Sequence, residues 1–300
     1  RGLDRFSSSR LAELLSHRDQ RVRYEAQRLL VDREEVDTFE RVLARSTVRL
    51  ARLHAVWGVG QLARKNPVSI QVLIPHLKDP DPEVLSRLIR VGAEHGLQEA
   101  GDTALEALGA VNHPRLRFHA AYAVGRLRPD GALESLIQFV NSNHDLDVYL
   151  RHAAVMGLVA LQEDDSLLGQ ALASQSEALR LATVLVLRRR DDSRVVEFLS
   201  DASATVATEA ARAIYDREIS RGMTSLASVL VADQMIPEPF LRRALHANFQ
   251  LGKEPEAERL CQFALAENQP SAFRAQALDL LLNWDTPPNR EGVWGRWRPV

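Results

Sequence analysis

Six arginines recur at one place in a repeating pattern. Arg23, Arg52, Arg117, Arg151, Arg180 and Arg274 each follow an apolar residue and stand three residues before a small one. A guanidinium is planar, charged and rich in donors, so a row of them suits two tasks. It can tie each unit to a carboxylate or loop carbonyl of its neighbour, or it can line a groove that takes anions. Planar arginine suits fixed, forked bonding better than lysine, which favours the tie. Histidines give a second row. His54, His119 and His246 directly precede the small residue, and His152 is one position off. Imidazoles in line could bind metal or haem. The repeats that carry them are not all adjacent, so most pairs could not share an ion. Partly buried rings bonded to loop carbonyls account for them better, and neither a metal nor a cofactor is expected.

Other constellations lead to no reaction. Asn141–Asp147 starts like a calcium loop, but Leu146 stands where glycine is needed and His152 where a bidentate glutamate is needed. Gly58-Val59-Gly60 lacks the third glycine and the preceding strand of a dinucleotide fingerprint. Arg188-Arg189-Arg190 suits a helix C-terminus. No Ser-His-Asp elbow, HExxH or P-loop appears, and no catalytic residue is expected.

The elements that carry these residues follow from the spacing. The small residues fall at 26, 55, 88, 120, 154, 183, 210, 247 and 277, with gaps of 27 to 37. A period of this size indicates stacked helix pairs. Each repeat reads as helix A, a polar turn and helix B. Asp19, Asp81, Asp147, Ser176 and Ser203 are placed to cap B helices, and Pro82 and Pro114 suit a first helical position. Helix A copies include Ile70–Leu77 and Val195–Leu199. Gly60, Gly125 and Gly252 are expected to close B helices in the left-handed conformation, and Trp57 is expected in the core. The expected fold is all-α, a right-handed α-α superhelix of about nine pairs. Residues 8–283 would form the array, 1–7 a linker remnant, and 284–300 a Trp- and Pro-rich irregular cap folded over the last repeat.

Composition narrows the function. Net charge is −2, with +5 over residues 1–128 and −7 over 129–300. This balance speaks against a dedicated nucleic-acid binder. Cys261 is the only cysteine, so no disulfide within the chain and no thiolate cluster can form. The longest apolar run, Ala153–Leu161, is too short to span a bilayer.

The unit resembles the HEAT-type repeat over residues 8–282, in the short version seen in phycobilin-lyase-like proteins. Asp19–Gln27, Ala51–Leu62 and the tail from Trp284-Asp285 to Arg298-Pro299 are further similar to the HEAT region of large bacterial membrane-bound dehydrogenase-like, haem-binding proteins. In that family a β-propeller precedes the repeats and a c-type cytochrome follows. The resemblance implies an excised middle segment of an exported parent, periplasmic or in the cell envelope. It departs at Cys261-Gln262-Phe263, where Cys-x-x-Cys-His is absent, and in the lack of propeller strands before Ser8. The expected role is therefore a non-catalytic scaffold that spaces and docks protein partners. It needs no cofactor, does not bind nucleic acid and does not insert in a membrane. Its candidate interaction face is Arg23, Arg52, His54, Arg117, His119, Arg151 and Arg180. A DNA glycosylase with a basic groove and a haem or bilin chaperone are the alternatives.

Overall fold

The computed structural model describes residues 2–230 and 236–299. Arg1 and Val300, at the outer ends of the expected linker remnant and cap, lie outside the described residues, as do residues 231–235. The chain divides into two compact units, Arg1–Glu163 and Asp164–Val300. Among the described residues each is an all-α solenoid, and the only β-pairing is one isolated bridge between Arg290 and Trp297.

Unit 1 stacks five pairs. After a short 3-10 turn at Leu3–Arg5 come α1 (Ser8–Leu14) with α2 (Gln20–Asp32), and α3 (Val36–Arg45) with α4 (Arg49–Ala63). A 3-10 stretch, Pro67–His76, then pairs with α5 (Pro82–Glu94). The last two pairs are α6 (Ala100–Leu108) with α7 (Pro114–Leu127), and α8 (Ala132–Asn143) with α9 (Val148–Leu161). The B helices α2, α4, α5, α7 and α9 pack one on the next. Unit 2 stacks four. These are α10 (Asp164–Leu172) with α11 (Glu177–Arg189), a 3-10 stretch Ser193–Phe198 with α12 (Ala204–Asp216), α13 (Ser220–Ser228) with α14 (Glu238–Leu251), and α15 (Glu254–Leu265) with α16 (Ser271–Leu282).

Helix starts are fixed by side chains. Asp19, Asp81, Asp147, Ser176 and Ser203 each accept from an amide in the first turn of α2, α5, α9, α11 and α12. These amides have no partner within the helix, so each cap stabilises its helix by about 1 kcal/mol. Apolar residues at spacings of three and four form the buried stripe. In α7 it runs Leu116, Ala120, Ala123, Val124 and Leu127.

Three local expectations are corrected. Two helix A copies are 3-10, not α. Pro75 sits inside the first, where an α-helix would lack its N–H and meet its ring. Gly60 and Gly125 lie within α4 and α7 and do not close them; Arg128, at φ 53°, takes the left-handed position after α7. Gly125 is needed for approach: a Cβ there would overlap the backbone of Gly157 on α9, and a Cβ on Gly157 would strike the Ala121 carbonyl. Gly252 does take the left-handed cap, at φ 63°. The tail also reaches further back than the last repeat. It returns along the B-helix side of unit 2 to α14 and α12.

Candidate functional site

The repeated arginines sit at the turns, and each is engaged. Arg23 is buried; its Nη1 donates to the carbonyls of His17 (2.7 Å) and Arg18 (3.1 Å) in the turn before α2. Arg117 is also buried. It donates to the Leu108 carbonyl at 2.9 Å and to Ser142 of the next repeat at 3.2 Å, while stacking over Phe139. Arg180 grips Asp201 of the next repeat by a fork of 2.7 and 3.2 Å and donates to the Ser174 carbonyl of its own turn. Arg52 pairs with Asp79 of the next repeat, Arg151 with Asp145 of its own turn at 2.7 and 2.8 Å, and Arg274 with the Ala264 carbonyl. The row therefore fastens turns, within repeats and between them. Forked and charge-assisted bonds of this kind are the stronger ones.

Among the described residues, His54, His152 and His246 bond side chains and not loop carbonyls. His54 Nε2 accepts from Arg23 Nε at 3.1 Å, and its Nδ1 meets Gln27 Oε1 at 2.7 Å. His246 Nε2 lies 3.0 Å from Gln276 Nε2, and His152 Nε2 lies 3.0 Å from the Tyr122 hydroxyl. Burial, with Arg23 alongside, holds His54 down at about 4. Burial likewise holds His119 at about 4, helped by Arg87, Arg90 and Arg115. Both rings are neutral at pH 7. Among the described residues no three His, Cys, Asp or Glu side chains group as metal ligands.

Of the seven candidate residues, His54 and His119 line two open clefts. Both clefts lie on the B-helix side of unit 1. One, of about 400 Å³, runs from Tyr24 and Gln27 on α2 past His54, Trp57 and Gln61 on α4 to Arg87, Arg90 and Glu94 on α5. The other, of about 530 Å³, is shared by Arg90, Ala93 and Glu94 on α5, by Phe118, His119, Tyr122 and Arg126 on α7, and by Met156 and Ala160 on α9. Arg90 and Glu94 line both, which makes one groove across four steps of the stack.

The lining obeys a register that sequence reasoning overlooked. Relative to the small residue, it uses the position just before (His54, Arg87, His119), two after (Trp57, Arg90, Tyr122, Met156) and six after (Gln61, Glu94, Arg126, Ala160). Steps of three and four keep these residues on one helix face. The visible signal was a large side chain two residues after four successive small ones. Trp57, expected in the core, is half-buried and lies under the Arg87 guanidinium at 5.2 Å.

In unit 2 the chain itself covers the same side. The tail turns Glu291 inward, where its carboxylate accepts from the amides of Val293 (2.8 Å), Trp294 (2.7 Å) and Arg296 (3.1 Å) and from the Tyr215 hydroxyl (3.2 Å). Trp294 lies on the Arg243 guanidinium, and Arg298 stacks over Tyr215 and donates to its carbonyl at 3.1 Å.

Residues 70–158 match the family of HEAT repeats. That stretch holds α5, α7 and nearly all of α9, the helices that line the larger cleft. No curated protein matches the chain. Among solved structures, the human deoxyhypusine hydroxylase complex with glycerol is 16% identical over 85% of this chain and 97% of that one, with a TM-score of 0.33. The CpcE–CpcF complex of phycocyanin lyase from Nostoc is 17% identical over 83% and 94%, with a TM-score of 0.41. A designed armadillo repeat protein in complex with a (KR)4 peptide is 16% identical over 92% and 100%, with a TM-score of 0.27. Among the described residues no helix is long and apolar enough to cross a membrane.

Proposed function

We propose that this chain is a non-catalytic docking module, and that within a larger exported parent it spaces a dehydrogenase-like β-propeller from a c-type cytochrome. The observation that carries the docking part is the open groove on α2, α4, α5, α7 and α9, with its aromatic and cationic walls. Stacked repeats hold such a wall rigid, so a partner does not have to order it on binding. The repeated arginines bond at the turns, and Arg23, Arg52, Arg117 and Arg180 also tie one repeat to the next. His54 and His119 remain candidates at the groove. The spacer part rests on the likeness of Asp19–Gln27, Ala51–Leu62 and the tail to the HEAT region of that family.

Two measurements test these parts separately. A photo-crosslinking amino acid replaces Tyr122 in the groove or Leu278, exposed on α16, within the full-length parent. Adducts to another domain or subunit from position 122 and not from 278 are expected. Equal labelling at both, or none at 122, overturns docking at the groove. The coding region on either side tests the spacer: a propeller upstream and a Cys-x-x-Cys-His motif downstream are expected, and their absence ends that part.

A further inference from the structure

The two units present one B-helix register in two conditions. In unit 2 it holds a peptide segment of the chain. That segment contacts Tyr215 and Asp216, five and six residues after one small position, and His246, one residue before the next. It brings an inward carboxylate, Glu291, and, three residues on, an indole that lies on a guanidinium. In unit 1 the protein already supplies the guanidinium and an indole, Arg87 over Trp57. Arg87 differs from the arginines around it. Arg90 pairs with Glu94 at 2.7 Å, and Arg126 donates to the Ala93 and Glu94 carbonyls. Arg87 is half-buried, and its Nε is buried with no hydrogen-bond partner among the described residues. Arg90 and Arg115 add like charge around it. A buried donor of this kind is costly to leave unmatched, and a carboxylate matches it best.

We propose that the unit 1 groove binds an acidic peptide segment of a partner protein. One Asp or Glu side chain seats on the Arg87 guanidinium, and a large apolar side chain three residues on enters the cleft of Phe118, Tyr122 and Met156. This rests on the docking reading above and narrows it to a chemistry. The charge agrees: Arg64, Arg87, Arg90 and Arg126 line the groove against one carboxylate, Glu94. A peptide fits better than a nucleic acid. Arg90 and Arg126 are already engaged and Arg64 is exposed, which leaves Arg87 as the one half-buried guanidinium suited to one carboxylate, whereas a phosphate backbone is gripped by many cations at once.

The test uses the whole chain and four fluorescent probes measured by anisotropy. The first is a peptide with the core Glu-Gly-Val-Trp, the spacing of the tail, between Gly-Ser flanks. The second carries Gln for Glu, the third Ala for Trp, and the fourth is a single-stranded oligothymidine. The first peptide is expected to bind at least about tenfold tighter than the second and the third. In Arg87→Gln, the Glu and Gln peptides should bind equally, at the level of the Gln peptide on the unaltered protein. The comparison between peptides on unaltered protein needs no variant to fold. Equal binding of the Glu and Gln peptides there overturns the proposal, as does discrimination that survives Arg87→Gln. Failure of every peptide to bind overturns it too, and so does tighter binding of the oligothymidine. If the peptides fail while crosslinking at position 122 succeeds, docking stands and only its acidic chemistry falls.

Discussion

Arg23 on α2 donates from Nε to Nε2 of His54 on α4, and His54 returns through Nδ1 to Gln27 on α2. Two successive B helices are thereby joined by a ring of side-chain bonds. The ring also fixes the imidazole. Nε2 accepts, so the proton sits on Nδ1, where it donates to Gln27 Oε1. Gln27 continues the chain to Gln61 at 2.9 Å.

Removing the arginine exposes what it holds. Arg23→Met leaves the His17 and Arg18 carbonyls and His54 Nε2 without their donor, at a cost of about 2–3 kcal/mol. A urea titration of far-UV ellipticity should show an earlier midpoint. Arg23→Lys should recover only part, since an ammonium cannot span the same three acceptors in one plane.

The Gly125–Gly157 contact gives a steric prediction. Gly125→Ala puts a methyl into the α9 backbone, which cannot rotate away. Separating α7 from α9 should cost roughly 2 kcal/mol or more, and thermal melting should fall by several degrees. Gly169→Ala on α10 is the control, because a Cβ there meets nothing within 4 Å. It should leave melting unchanged or slightly raise it.

These two sites show where the sequence could be read and where it could not. The period, the capping Asp and Ser residues and the apolar stripes are local signals, and they predict the helices in place. Arg23 was recognisable as a structural tie because its neighbours in sequence repeat. Gly125 was misread, because a glycine near a helix end looks alike whether it caps or admits a neighbour. The distinction depends on Gly157, thirty-two residues away. The groove was partly legible. His54 and His119 belong to the expected interaction face, which otherwise held motif arginines, but Arg87 sits in a degenerate repeat, Val84-Leu85-x-x-Leu88, that lacks its motif arginine. The inward turn of Glu291 could not be read at all, since nothing periodic leads to it.

Acid should weaken unit 2 through His246. Burial holds this imidazole near 4, against 6.5 for a free histidine. As pH falls through 6.5 the unfolded chain takes up the proton first. Stability then declines, and this contribution levels off near pH 4 after a loss of up to about 3 kcal/mol. Urea midpoints measured between pH 7 and 4 should fall less steeply in His246→Gln than in the unaltered chain. Identical slopes would contradict the assignment.

Glu291 should govern the tail. Burial raises its pKa, but the amides of Arg296, Val293 and Trp294 outweigh burial and hold the carboxyl below its ordinary range. Its stabilising bonds are present above the ordinary glutamate range and are lost as pH falls through the depressed value. Glu291→Ala removes the acceptor at every pH. Amides of residues 290–298 should then exchange roughly thirtyfold faster, equivalent to about 2 kcal/mol, while α12 and α14 remain protected.

The pinned tail has a consequence for anything attached beyond it. Arg298 is fastened to the Tyr215 carbonyl, and Arg296 to that of Asp216. A following domain would thus be tethered beside α12, two hairpins back from α16, and the length it gains from unit 2 would be set by that exit point, not by the full height of the stack.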